Sequence, residues 1–254
     1  MACNKAGTPA SQPLGETDVT KSALDTALDE VIAGITAPGG PLGVAQADIR
    51  GVTLPVFGAA PPTMREYMAF FFATQADKEF LVYGEERLTF GEVYKRSQTF
   101  AAMLQHRHGI AKGDRVGVAM RNYPEWVIAY CAIVHLGAVC IPMNAWWTAE
   151  EMDYGIRDSG ARLVIADEER ARRLATLSCS AGVITVRTSR DVASQLGFVR
   201  AEDELAASPD TMWYLPELTP EDDCTIMYTS GSTGYPKGAV STHRAQVSAS
   251  MNYL

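Results

Sequence analysis

The sequence predicts a layered α/β fold in which a mostly parallel sheet is flanked by helices. Two observations carry this expectation. Short apolar runs recur along the middle of the chain, and between them lie helical segments that open on a Thr or Asn followed three residues later by Glu. Strands alternating with capped helices imply parallel strands joined by right-handed crossovers. No repeat of solenoid period is visible.

The elements follow in order. Residues 1–20 are small and polar and are expected to form a flexible tail. Leu24, Leu28, Val31, Ile32 and Ile35 fall on one helical face, and Pro38-Gly39-Gly40-Pro41 stops that helix. Residues 1–60 are therefore expected to be an N-terminal extension with one helix, packed on the body or forming a peripheral arm. Thr63 and Glu66 open a helix carrying Met68, Phe71 and Phe72, and residues 79–83 read as a strand that turns at Gly84. Thr89 and Glu92 open a helix that Gly109 closes. Residues 115–120 are a strand, 123–136 a helix started by Asn122 with Glu125, and 139–142 a short buried strand. Thr148 and Glu151 open a helix ending near Gly160, with Glu150 and Glu151 as favourable charges at its start. Residues 162–166, 168–177 and 183–186 continue as strand, helix, strand. Between Ala201 and Asp223 eight acids occur with no Lys or Arg, a run expected to be a solvated connection without a functional role.

Composition bounds the function. The chain has 254 residues, 47 % of them apolar and 20 % charged, which is globular; at roughly 100–200 residues per domain it holds one large or two small domains. Its net charge of −8 lacks the basic field that nucleic-acid or anionic-lipid binding needs, so no nucleic-acid partner is expected. The five cysteines (Cys3, Cys131, Cys140, Cys179, Cys224) are odd in number and contain no C-x-x-C pair, which fits a reducing, cytoplasmic location without disulfides. His106, His108, His135 and His243 show no metal-ligand spacing. Residues 1–20 lack the apolar core of an export signal. The 18 uncharged residues 126–143 are interrupted by His135, Gly137 and Pro142, so helix, turn and buried strand are expected there rather than a transmembrane segment.

One segment stands out chemically. After a strand over residues 224–228 comes Thr229-Ser230-Gly231-Ser232-Thr233-Gly234-Tyr235-Pro236-Lys237-Gly238, then a returning strand at 239–241. Glycines let backbone amides approach a ligand without Cβ interference, and consecutive amides make an anion nest. Hydroxyls add donors and Lys237 adds a compact positive charge. Together these suit a polyphosphate. The segment fails the G-x-x-x-x-G-K-[ST] pattern, because Pro236 precedes the lysine and Gly238 follows it, and it fails the dinucleotide pattern G-x-G-x-x-G.

Residues 228–238, Tyr-Thr-Ser-Gly-Ser-Thr-Gly-Tyr-Pro-Lys-Gly, resemble the signature loop of the adenylate-forming superfamily, which holds acyl- and aryl-CoA ligases, luciferase and nonribosomal peptide synthetase adenylation domains. Leu88-Thr-Phe-Gly-Glu92, Gly113-Asp-Arg-Val116 and Leu136-Gly-Ala-Val-Cys-Ile-Pro-Met-Asn144 are similar to other elements of that family. The Pro-x-Asn ending of the last segment is nearest to the fatty-acid and acyl-CoA ligase branch. The resemblance runs from about residue 63 onward.

The resemblance implies a two-step ligase: a carboxylic acid, fatty by first expectation, is joined to AMP with release of pyrophosphate and then passed to the thiol of coenzyme A. Thr229, Ser230, Gly231, Ser232, Thr233, Gly234 and Lys237 would bind the β- and γ-phosphates of ATP, and the Ser232 hydroxyl would ligate Mg2+. His243, in a Ser-Thr-His-Arg stretch after the loop, is expected to cap or pack at a helix start. The family's aromatic-Gly-x-Thr-Glu and Thr-Gly-Asp segments and its late catalytic lysine have no counterpart here. Residues 61–254 are accordingly expected to be a truncated N-terminal domain ending just after the phosphate loop, with no catalytic residue of its own and inactive alone. A noncatalytic nucleotide-binding scaffold and an adenylation domain loading a carrier protein are the alternatives. The acid's identity stays open, and copies of the chain could associate into a homo-oligomer.

Overall fold

The structure, a computed structural model, describes residues 21–40, 42–178, 180–207, 213–229 and 236–253. The tail expected at residues 1–20 lies outside them. The chain forms two compact units, Met1–Ala59 and Ala60–Leu254.

In the first unit, α1 (Ala23–Thr36) is the helix expected from the apolar stripe. Ser22 caps it in a full capping box with Asp25, and none of its residues is buried. The antiparallel pair β1 (Val44–Ile49) and β2 (Val52–Phe57) follows, joined through Arg50 and Gly51, both at positive φ. This hairpin has no signature in the apolar pattern, because most of both strands is exposed and Pro55 sits in the second.

The second unit starts with α2 (Met64–Thr74), whose Thr63 hydroxyl accepts from the Arg65 amide and donates to the Glu66 carboxylate. β3 (Glu79–Tyr83) and β4 (Glu86–Thr89) form a small hairpin, and α3 (Phe90–His108) follows, closed by a left-handed Gly109. Phe72 meets the rings of Phe80, Phe90 and Tyr94 within 5.4–5.7 Å, which pins the hairpin to both helices. Then come β5 (Arg115–Ala119), α4 (Pro124–His135), β6 (Val139–Pro142), α5 (Ala149–Ser159), β7 (Leu163–Asp167), α6 (Glu168–Leu174), β8 (Gly182–Val186), α7 (Arg190–Leu196), β9 (Val199–Arg200), α8 (Ala201–Ala206), β10 (Asp223–Thr229), β11 (Lys237–Thr242) and α9 (His243–Met251).

Seven of these strands make one sheet in the order β11-β10-β6-β5-β7-β8-β9, parallel throughout except for the β10–β11 pair. The layered, mostly parallel α/β fold is thus present. β5 leads through α4 to β6 on one side, and β6 leads through α5 back across to β7 on the other, so right-handed crossovers place α4 and α5 on opposite faces. α5 and α6 bury Met152, Ile156, Ala171 and Leu174 against Ile141, Met143, Val164 and Ala166 of the sheet. α3 and α4 bury Phe100, Leu104, Ile128 and Ile133.

Two expectations need correction. Asn122 does not cap α4: Tyr123 is the N-cap with no side-chain bond, and Pro124 at the first helical position removes one amide that would otherwise need a partner. The acidic stretch is not merely solvated either. Glu202 accepts from the Arg187 amide, Asp203 pairs with Arg190 and Arg200, Glu204 with His108, Asp222 with Lys112 and Glu221 with Arg244. Its carboxylates fasten α8 and the approach to β10 onto the body, drawing their basic partners from elsewhere in the chain.

Among the described residues no helix is long and apolar enough to cross a membrane. Cys131, Cys140 and Cys224 are free and buried, and burial pushes the Cys131 and Cys224 thiols up to about 12. Cys3 and Cys179 lie outside the described residues.

Candidate functional site

The hydroxyl- and glycine-rich segment is launched and received by a strand pair. β10 ends at Thr229, β11 begins at Lys237, and these two residues are register partners. The Thr229 hydroxyl donates to the Lys237 carbonyl at 3.5 Å, closing the base of the segment. Lys237 is exposed, and among the described residues its ammonium forms no ion pair. Ser230, Gly231, Ser232, Thr233 and Gly234, expected to complete the phosphate site, lie outside the described residues.

The base is anchored from below. The Tyr228 hydroxyl donates to Asp158 Oδ2 on α5 at 2.6 Å and approaches the Gly155 carbonyl at 3.4 Å. Burial, reinforced by the bond to Asp158, raises the Tyr228 pKa well above the usual phenol value, so the hydroxyl stays a donor. The Tyr228 ring meets the Trp147 ring edge-on, centroids 5.5 Å apart.

His243 behaves as a packing residue, as expected. It is fully buried, and its Nδ1 accepts from the Met64 amide at 3.2 Å, joining the starts of α9 and α2. Burial lowers its pKa. Glu150 and Glu151 sit in the first turn of α5, where Glu151 completes a capping box with Thr148. Among the described residues no group of three or more His, Cys, Asp or Glu is placed to hold a metal ion.

A second feature escaped the sequence reading. β5 and β7 are neighbours whose outgoing connections run in opposite directions, and a ligand crevice is expected beyond the carboxyl ends of such a pair. A cleft of about 800 Å³ lies there, lined by Arg121 and Trp146, by Asp167 and Arg170, and by Tyr123 and Arg187. The Arg121 guanidinium lies over the Trp146 ring, 5.0 Å from its centroid. Arg170 is 1 % exposed; it is held by Asp167, Glu169 and the Ala145 carbonyl, yet its Nη2 has no partner among the described residues. Arg187 is tied to Glu86 and Glu125. Only the carboxyl-end placement of Arg121 and Arg170 signals this cleft in the sequence, and strand order is needed to see it.

A mostly parallel sheet of this order between two helix layers defines a layered α/β domain, and comparison with known proteins says which kind. A family profile described as "AMP-binding enzyme" matches residues 70–254. The chain belongs to that family of adenylate-forming enzymes. It is 30 % identical over 191 residues to 4-coumarate–CoA ligase 3 of Oryza sativa subsp. japonica, covering 74 % of this chain and 33 % of that protein. It is 30 % identical over 196 residues to a long-chain-fatty-acid–CoA ligase of Escherichia coli O6:H1, covering 68 % and 35 %. Among solved structures, the anthranilate CoA ligase AuaEII, determined with anthranoyl-AMP, superposes with a TM-score of 0.65 at 25 % identity, over 72 % of this chain and 35 % of that one. The chain thus spans about a third of the length of these relatives.

Proposed function

We propose that this chain supplies the triphosphate-holding part of an ATP-dependent acid–CoA ligase. The observation that carries the reading is the antiparallel pair β10 and β11 at the sheet edge: it brackets a sequence of hydroxyls and glycines, ends it on one exposed lysine, and brings its two flanks together through the Thr229–Lys237 pairing. In the first half-reaction a carboxylate oxygen attacks the α-phosphorus of ATP, and the bond from that phosphorus to the bridging oxygen of pyrophosphate breaks. Amides and hydroxyls of Thr229, Ser230, Gly231, Ser232, Thr233 and Gly234 hold the departing β- and γ-phosphates, and Lys237 neutralises the charge that accumulates on them. A serine hydroxyl is a hard oxygen donor of the kind Mg2+ takes together with phosphate oxygens and water, so Ser232 is the residue we assign to the ion. When bound, Mg2+ adds to the neutralisation of the leaving group.

For the second half-reaction we assign the acceptor's anionic end to the cleft beyond β5 and β7. Arg121, free of ion pairs among the described residues, and the unpartnered Nη2 of Arg170 offer donors to phosphate, and Trp146, 71 % exposed, offers a stacking face. Coenzyme A carries both chemistries.

The test is pyrophosphate exchange and ATP binding, measured on this chain and on any longer protein that carries it, across a panel of fatty, branched, aromatic and dicarboxylic acids. Lys237→Ala should lower exchange about 10- to 100-fold, the loss of one charge contact to a developing anion. Unchanged exchange and unchanged ATP affinity would overturn the assignment. Thioester formation with free CoA, against transfer to a carrier protein, decides the acceptor.

A further inference from the structure

We propose that Tyr228 is the positioning residue of the phosphate-binding segment, its hydroxyl bond to Asp158 fixing the paired ends of β10 and β11, Thr229 and Lys237, that flank it; the inference rests on the triphosphate reading above.

The sheet itself does not fix those ends. Among the described residues β11 is an edge strand with β10 as its neighbour, and β10 pairs with β6 at Thr225–Cys140 alone. Tyr228 lies three residues further on, roughly 10 Å along an extended strand, where the β6 side offers no ladder bond. A strand end so placed is free to twist with its hairpin. The Tyr228–Asp158 bond takes the place of the missing ladder by tying β10 to α5, a helix whose Met152 and Ile156 are 1 % exposed in the core.

The surroundings are shaped around this one ring. A Cβ on Gly155 would lie 2.7 Å from Trp147 Cζ3, so a glycine at 155 is what lets the indole come close enough to brace Tyr228. A Cβ on Gly238 would lie 2.9 Å from Ile226 Cγ2 and 3.3 Å from Tyr228 Cζ, so the tyrosine ring lies over its register partner on β11 in space that a side chain at 238 would fill. The strand entering the segment and the strand leaving it are therefore referenced to the same side chain. A cradle for a leaving pyrophosphate acts through preorganised donors, and loosening its base disperses them.

The experiment compares Tyr228→Phe, Asp158→Ala and Asp158→Asn in the full chain. ATP and AMP affinities are read by titration, and amide hydrogen exchange is read around residues 229 and 237–238. Tyr228→Phe and Asp158→Ala should each weaken ATP binding about three- to tenfold and leave AMP unchanged, the size expected for one hydrogen bond. Asp158→Asn, which keeps an acceptor oxygen, should recover part of the loss, and Tyr228→Phe with Asp158→Ala should lose no more than either alone. Exchange should rise at the β10–β11 end and stay unchanged in α3. Wild-type exchange at that end in Tyr228→Phe, or equal loss of ATP and AMP binding, or additive losses in the double variant, would overturn the proposal. A chain in which exchange rises locally while neither Tyr228→Phe nor Lys237→Ala alters ATP binding keeps the anchor and removes the phosphate reading instead.

Discussion

His135, the last residue of α4, is 1 % exposed against α3, with Nε2 3.1 Å from Ser97 Oγ and its ring against those of Tyr94 and Trp213. Burial, with the Arg65 charge adding to it, lowers its pKa from 6.5 to about 4. The folded chain thus keeps His135 neutral where the unfolded chain takes up a proton. Stability contributed by this site is complete above pH 6.5 and is lost as the pH falls from 6.5 toward 4, to a limit of about 3 kcal/mol. Denaturant titrations at pH 7 and pH 4.5 should show the native protein losing more stability on acidification than a His135→Gln variant; parallel losses would mean the imidazole is solvated. On the proposed assignment of the cleft, Arg121→Ala in a longer protein that carries this chain should raise the KM for CoA about three- to tenfold, well beyond any change in the KM for ATP in pyrophosphate exchange. His135 could not be told from a surface histidine by its spacing. Two of the groups packed against it, Trp213 and Arg65, are 78 and 70 positions away in the chain.

Among the elements, helix starts separate what local sequence determines from what it does not. Thr89 and Glu92 form a reciprocal box in which the Glu92 amide donates to the Thr89 hydroxyl at 3.2 Å and the Thr89 amide to Glu92 Oε2 at 2.8 Å. Thr89→Ala should cost about 1 kcal/mol of unfolding free energy, read as a lower denaturant midpoint. Asn122, which shows the same three-residue spacing to Glu125, makes no cap, and Asn122→Ala should change stability by less than about 0.5 kcal/mol. The spacing alone misleads there because Pro124 fixes the backbone one residue later than the pattern suggests. Strands β5 through β8 were legible because each is an apolar run buried on both sides of the sheet. β9, two residues long and half exposed, and the β1–β2 hairpin carry no such run. The hydroxyl- and glycine-rich segment stands out through chemistry that is local in sequence, whereas the Tyr228–Asp158 bond beside it does not: nothing near Tyr228 in the chain announces Asp158, 70 residues earlier.

Over the whole molecule, acid weakens the fold at several places at once. His135 and His243 both resist protonation inside the structure. The Asp222 carboxylate is drawn below its usual pKa by the Lys112 ammonium and the Thr219 amide despite the opposing effect of burial, so its contribution is present above about pH 4 and lost below. The Met64 amide bonded to His243 Nδ1 has one more consequence. The two residues are 179 positions apart, and a ribosome adding roughly 5–20 residues per second takes on the order of 10–35 s to travel between them. For that interval the first turn of the nascent α2 lacks the imidazole that accepts from its Met64 amide, so this helix start is completed only once α9 has been made.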